Sequence, residues 1–176
     1  MFEIVEPRNE AELDEVRRLM RAFTDWVRVR YSNEIALVDK YFDAGAFEDE
    51  LRDLPGKYSR PKGRLLLART GAHGVGCVGM RALDDGCCEM KRLYVESANQ
   101  RNGTGRALVT ALIEEAKSAG YTSMRLDTGP ASIEAQNLYR SAGFTVVDPY
   151  YDIPEELSGW LVFMELDLKA CQVCAI

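Results

Sequence analysis

The sequence predicts one α/β domain built on a mixed sheet, and three observations carry that reading. Apolar residues recur at helical spacing in two stretches near the start and two in the second half. Between and after them lie extended runs, rich in leucine and valine, punctuated by Gly-containing turns. Nothing along the 176 residues repeats, shifts in composition or becomes a low-complexity linker, so a single core is expected. The order is strand, two helices, three antiparallel strands, helix, strand, helix, two strands. The domain is expected to span residues 1–168, with 169–176 as a frayed tail.

Each element has its own signal. Phe2 to Glu6 is a short strand. Asn9 caps a helix opening on Glu10-Ala11-Glu12, whose carboxylates suit the positive end of the helix dipole. Leu13, Val16, Leu19, Met20, Phe23 and Val27 mark its buried stripe. A second amphipathic helix is expected from Asp39 to Leu54, stopped by Pro55-Gly56. Arg64–Arg69 and Gly74–Ala82 form a hairpin around the Gly-rich turn that holds His73. Asp84-Asp85-Gly86 turns the chain into a strand from Cys87 to Val95. Thr104–Ala119 is a helix closed by Gly120, Tyr121–Asp127 a strand, and Ser132–Ala142 a helix closed by Gly143. Phe144–Val147 and Trp160–Leu168 are the last strands, joined by a loop rich in proline and tyrosine.

Composition excludes several functions. The net charge of −6 disfavours binding along a phosphate backbone, so no nucleic-acid partner is expected. No apolar run reaches the roughly 18 residues of a membrane span. Met1-Phe2-Glu3-Ile4-Val5-Glu6 lacks the basic-then-apolar order of a signal peptide, so a soluble, cytoplasmic protein is expected. Five cysteines, an odd number, read as reduced thiols. Cys171 and Cys174 form a single C-x-x-C without a second ligand pair, and no metal site is expected. With one histidine, His73, sitting in a turn, a Ser-His-Asp or Cys-His hydrolase is not the reading.

The chemistry concentrates after the Cys87–Val95 strand, in Gln100-Arg101-Asn102-Gly103-Thr104-Gly105-Arg106. Two glycines one residue apart let backbone approach a ligand closely. They stand at a helix start, where N–H groups lack intrahelical partners and the dipole favours an anion. Arg101 and Arg106 add charge, and a diphosphate is the natural occupant. The segment lacks the lysine of a P-loop, and Leu108 stands where a dinucleotide fold needs its third glycine. From the loop alone, a tight turn without a ligand stays open.

The surroundings resemble the GNAT family of acetyltransferases. Gln100, Gly103 and Gly105 match that family's [Q/R]-x-x-G-x-[G/A] loop, and Glu89 to Val95 is similar to its fourth strand. Ala135-Gln136-Asn137-Leu138-Tyr139-Arg140-Ser141-Ala142-Gly143-Phe144 resembles its A-x-x-L-Y-x-x-x-G-F element, and Val162 to Leu166 its last strand. The resemblance implies a GNAT-type domain: a mostly antiparallel mixed sheet of about seven strands, flanked by about four helices, with the fourth and fifth strands splayed into a cleft for acetyl-CoA. No metal takes part. It implies that Leu93, Tyr94 and Val95 pair with the pantetheine amides and that the N–H groups from Arg101 to Arg106, Asn102 and Thr104 included, hold the pyrophosphate. Ser132 stands where many members carry an Asn that contacts pantetheine, and Asn137 falls within the matched helix as a further cofactor contact.

Acetyl transfer to an amine needs one group to accept a proton and another to donate one. Glu89 is the candidate base, at a position where several members carry a Glu that acts through water. Tyr139 is the candidate acid; a phenol, with an ordinary pKa of about 10, can protonate a thiolate. A period of two puts Glu89, Lys91, Leu93 and Val95 on one face and Tyr94 on the other, unless a bulge intervenes. Cys87 and Cys88 raise an acyl-cysteine alternative, but neither has an activating base beside it, and direct attack in a ternary complex is preferred. The expected acceptor is a small amine. Its wall would include Trp26, Arg28, Arg30, Tyr31 and Asp43, together with Tyr150, Tyr151, Asp152, Glu155 and Glu156. A non-catalytic CoA-binding module and an acetyltransferase acting on protein N-termini or lysines are the alternatives. Many relatives in the family dimerise, so a homodimer is among the expected assemblies.

Overall fold

Asn9 begins the first long element as its side chain accepts from the Glu12 N–H, and helix α1 then runs Glu10–Arg30. The computed structural model describes residues 1–84 and 86–169; the expected tail, with Cys171 and Cys174, lies outside them apart from Lys169. Before α1 lies the short strand β1, Glu3–Val5. The helix expected from Asp39 to Leu54 is instead two, α2 (Ile35–Tyr41) and α3 (Ala44–Arg52). Phe42 is extended, with ψ 92°, and Asp43 restarts the helix by accepting from the Ala46 N–H at 2.7 Å. The apolar periodicity continued across a point where an N-cap residue breaks the backbone.

Strands β2 (Arg64–Thr70), β3 (His73–Asp84) and β4 (Cys87–Val95) form an antiparallel meander. Helix α4 (Thr104–Ser118), strand β5 (Ser123–Thr128), helix α5 (Ile133–Ser141) and strands β6 (Thr145–Val147) and β7 (Val162–Asp167) complete the chain. The seven strands make one sheet in the order β1-β2-β3-β4-β5-β7-β6. Among the described residues its only parallel pair is β4–β5, and that pair extends no further than Cys87–Glu89 against Ser123–Arg125. Beyond Glu89 the two strands part.

Strand β4 also bulges. Lys91 pairs with Gly79 and Tyr94 with Cys77, so Arg92 and Leu93 together oppose Val78. Arg92 carries the bulge in the left-handed region, with φ 60°. The side-chain alternation therefore reverses. Leu93 and Val95 join Cys88 and Met90 in the core under α4, while Tyr94 turns to the α1 side and packs on Phe23. The bulge left open for β4 is present, so Tyr94, in place of Leu93 and Val95, shares a side of the sheet with Glu89 and Lys91.

The main core lies between the sheet and helices α4 and α5, centred on Leu108, Leu112, Met124, Leu126 and Met164. On the other side of the sheet α1 and α3 bury Leu19, Met20 and Leu51 against Leu65 and Leu67. A third cluster, Tyr31, Val38, Leu157, Trp160 and Phe163, ties the end of α1 and α2 to the loop before β7. Among the described residues no helix is long and apolar enough to cross a membrane.

Candidate active site

The parting of β4 and β5 opens a cleft of about 600 Å³. Residues 90–95 of β4 form one wall and 126–129 the other. Since β4–β5 pairing stops at Glu89, the β5-facing edge of β4 beyond it has no strand partner in the sheet. One end of the cleft meets the start of α4 and the other the side chains of α1, α2 and the loop before β7.

At the α4 end Gly103 is the N-cap residue, with φ 90°, a conformation that L side chains rarely adopt. Arg101 is also left-handed, at φ 63°. The first intrahelical bond runs from the Ala107 N–H to the Gly103 carbonyl, which leaves the preceding N–H groups without helical acceptors. The Thr104 N–H is taken by Asn102 Oδ1, which the Thr104 hydroxyl also approaches at 2.6 Å. Those of Gly105 and Arg106 remain aimed out of the helix, and both residues line the cleft. Gln100 ties the loop to the strand by donating its side-chain amide to the Val95 carbonyl at 2.9 Å. Gln100, Arg101 and Gly103 line the cleft as well, whereas Asn102 and Thr104 are turned to each other.

Helix α5 supplies Leu138 and Tyr139 to the same cleft, and Asn137 points elsewhere, exposed and 3.4 Å from Arg140. Ser132 lines the cleft too, buried, with its hydroxyl 3.0 Å from that of Tyr31. The Tyr31 hydroxyl also accepts from the Ala131 N–H at 3.0 Å, which locks α1 to the start of α5. A shorter hydroxyl at position 132 is thus matched by a tyrosine reaching over from α1.

The far end of the cleft is lined by buried polar side chains. Tyr139 is 7% exposed, and burial, aided by the charge of Asp127, pushes its phenol well above the ordinary value. Among the described residues its hydroxyl has no hydrogen-bond partner, while no fully buried side-chain oxygen or nitrogen lacks one, so that hydroxyl opens to the cleft. Asp127, on β5, lines the cleft with its carboxylate 2% exposed. It accepts from the Tyr41 hydroxyl at 2.7 Å and from the Tyr151 hydroxyl. Burial, then the Asp127 charge, raises both of those phenols, so they stay neutral donors.

Glu89 stands one layer behind. It is wholly buried and does not line the cleft. Arg81 Nε donates to it at 2.6 Å and the Tyr150 hydroxyl at 2.8 Å. The Lys91 ammonium lies between the two acids, 3.7 Å from Glu89 and 3.6 Å from Asp127. Sequence reasoning passed over Asp127, Tyr41 and Lys91. Asp127 lies near the end of β5 without motif context, and its one available signal was an acid within an otherwise half-buried strand.

Of the expected acceptor wall, Trp26, Arg30 and Tyr31 face the cleft. Arg30 lies over the Trp26 ring and pairs with Glu134. Arg28 turns away to Asp39, and Glu156 to Lys40. Tyr150 and Tyr151 reach inward to Glu89 and Asp127, so the loop before β7 closes that end of the cleft.

Comparison with known proteins agrees with this geometry. The model of the acetyltransferase (GNAT) family matches residues 20–144. The chain is 42% identical over 125 residues to an uncharacterised N-acetyltransferase of Schizosaccharomyces pombe, covering 69% of this chain and 74% of that one. An acetyltransferase of the GNAT family from Staphylococcus aureus superposes with a TM-score of 0.73 at 21% identity, over 96% of this chain and 99% of that one. The PaiA N-acetyltransferase of Thermoplasma acidophilum, solved in complex with coenzyme A, superposes with a TM-score of 0.71 at 17% identity, over 95% of this chain and 99% of that one. A strand pair that parts after three residues, a helix start with free N–H groups at one end of the gap and a tyrosine facing a carboxylate at the other thus belong to an acyltransferase, and the chain is a member of the GNAT acetyltransferase family.

Proposed function

We propose that the protein moves an acetyl group from acetyl-CoA to a primary amine of a small molecule by direct attack in a ternary complex. The observation that carries this is the joining, in one cleft, of an anion site at the α4 start, an unpaired β4 edge and the Tyr139–Asp127 end. The residues fit the donor in order. The Gly105 and Arg106 N–H groups, with Arg101, suit a diphosphate. The β4 edge at 93–95, where Gln100 already holds the Val95 carbonyl, suits amides that pair with its remaining backbone groups as an added strand. Tyr139 stands where the thioester would end.

The reaction balances when nitrogen loses two protons and sulfur gains one. The acceptor ammonium gives up the first proton, and its lone pair attacks the thioester carbon. A C–N bond forms, the C–S bond breaks, the nitrogen sheds its second proton as the amide forms, and the departing sulfur gains a proton. The net product is one proton, which passes to solvent. Asp127 is assigned to hold the ammonium and accept its proton, because it is the buried carboxylate of the cleft lining, whereas Glu134, which also lines the cleft, is exposed and paired with Arg30. Tyr139, neutral and with an unspent hydroxyl, is assigned to protonate the sulfur. Glu89 acts from behind as a positioning residue that holds Lys91 and Tyr150. Burial raises the Cys77 thiol to about 12 and pushes Cys88 up as well. Such thiols are poor nucleophiles, which supports direct attack over an acyl-cysteine. The closed β7-side loop suits a small acceptor better than a protein chain.

The test is an amine panel with thiol release as readout, run on the parent chain, Asp127→Asn and Glu89→Gln. Loss of about 10²-fold or more in kcat in Asp127→Asn, with a smaller loss in Glu89→Gln, is expected. The reverse ranking returns the base to Glu89 acting through water. Acetyl-CoA binding without thiol release for any amine would leave a non-catalytic module.

A further inference from the structure

Beside the cleft lies a second cavity of about 230 Å³, bounded by the α2–α3 junction and by side chains of β3 and β4. The two cavities share Tyr41, Phe42, Lys91 and Arg92, so they adjoin. Four cations line the smaller one: Lys57, Arg81, Lys91 and Arg92. Its two carboxylates are already committed. Asp43 caps α3 through the Ala46 N–H. Glu50 takes Arg92 through both oxygens, at 2.9 and 3.0 Å, and also Lys57 and the Tyr58 hydroxyl.

The cations are not committed to the same degree. A guanidinium carries five N–H donors. Arg81 donates only from Nε, to Glu89, and among the described residues its two terminal nitrogens have no acceptor. Arg92 leaves Nη1 unspent in the same way. The Lys91 ammonium sits beyond hydrogen-bond reach of both its carboxylates. Spare cationic donors on the wall of a partly desolvated cavity favour an anion and repel a second ammonium. Across Lys91, in the cleft, Asp127 offers the opposite sign.

We propose that the acceptor is an amino-carboxylate, with its ammonium at Asp127 and its carboxylate in the side cavity, held by Arg81 and Lys57 with Lys91 and Arg92 behind. This rests on the reading of the cleft as the site of acetyl transfer. It deepens that reading by fixing the acceptor's second charge. The planar fork of Arg81 matches the two oxygens of a carboxylate. Tyr41 and Phe42 of the shared wall stand between the two poles.

The test compares matched acceptors: a set of amino acids, the primary amide of each, and the amine left when the carboxylate is removed. Thiol release gives kcat/KM for each. The acids are expected to exceed their amides by about 10- to 100-fold, the scale of charged hydrogen bonds. Lys57→Gln and Arg81→Gln are expected to shrink that ratio about tenfold or more, chiefly through KM. Because the ratio is taken within one protein, it does not depend on how much of a variant folds. Amides and decarboxylated amines that serve as well as the acids overturn the proposal and leave acetyl transfer standing. An acid preference unchanged in both variants overturns the site. Absence of turnover with every amine, while acetyl-CoA still binds, overturns acetyl transfer and this inference with it.

Discussion

Glu50 shows how one buried charge can set the shape of the cavity whose wall it forms. Burial by itself would raise its carboxyl, but the forked bond from Arg92, then Lys57 and Tyr58, outweigh that and hold it down at about 2 from an ordinary 4.5. The lowered value means that this stability is fully present above the unfolded pKa and is lost as the pH falls through the folded one. It corresponds to about 3 kcal/mol. Glu50→Gln removes the charge but leaves Arg92 buried, which costs about 3 kcal/mol or more near neutral pH. Denaturant unfolding of the two proteins from pH 7 to 2 should therefore show the parent's advantage constant down to about 4.5 and shrinking below it. An advantage that did not change over that range would mean that Glu50 is not the group that titrates. At Tyr139 the expected outcome is different in kind. Tyr139→Phe keeps the ring against Phe144 and removes only the hydroxyl, so stability should hold while kcat falls about 10²-fold or more and the KM for acetyl-CoA stays within about twofold. A fall confined to KM would remove Tyr139 from the chemistry.

Elements decide where these residues point, and here the sequence was partly transparent. The seven strands, the hairpin turns and the α4 start were legible because each rests on local chemistry: alternation, Gly turns, caps. The break at Phe42 and the bulge at Arg92 were not. The break rests on a local cap, Asp43 at the start of α3, that the continuing apolar periodicity masked; the bulge rests on a long-range partner, Arg92 lying in the left-handed region while its side chain reaches Glu50. At Glu89 the motif position was visible in the sequence and the Arg81–Tyr150 enclosure around it was not. The bulge makes its own prediction through Gly79, which pairs with Lys91 beside it. A Cβ there would lie 2.7 Å from the Tyr58 ring. Gly79→Ala should destabilise the fold by about 1–3 kcal/mol and loosen the Tyr58–Glu50–Arg92 linkage. Thermal unfolding at pH 7 measures the first. A variant as stable as the parent would show that Tyr58 can retreat without cost.

At the scale of the whole molecule the cleft is a gap in an otherwise continuous sheet, bridged by three β4–β5 pairs, by the core beneath α4 and α5 and by side-chain links such as Tyr41–Asp127 and Tyr150–Glu89. A ligand lying along the gap therefore touches both halves of the sheet, and it binds the folded state alone. Coenzyme A at about 100 times its dissociation constant should add about 2.7 kcal/mol to stability. For a chain of 176 residues that corresponds to a rise in Tm of about 5–10 °C. Gly103→Val separates the loop from the rest of the cleft. A side chain at Gly103 meets open space, so the cost comes from its φ of 90° and from the altered path of the loop rather than from a clash in the core. The variant should fold with a Tm a few degrees lower and lose most of the coenzyme A shift, while Tyr139→Phe keeps that shift in full. Both outcomes come from one thermal melt series with and without coenzyme A. Equal shifts in the parent and Gly103→Val would mean that the diphosphate is not held at the α4 start. Loss of the shift in Tyr139→Phe would mean that the tyrosine serves binding rather than the transfer step.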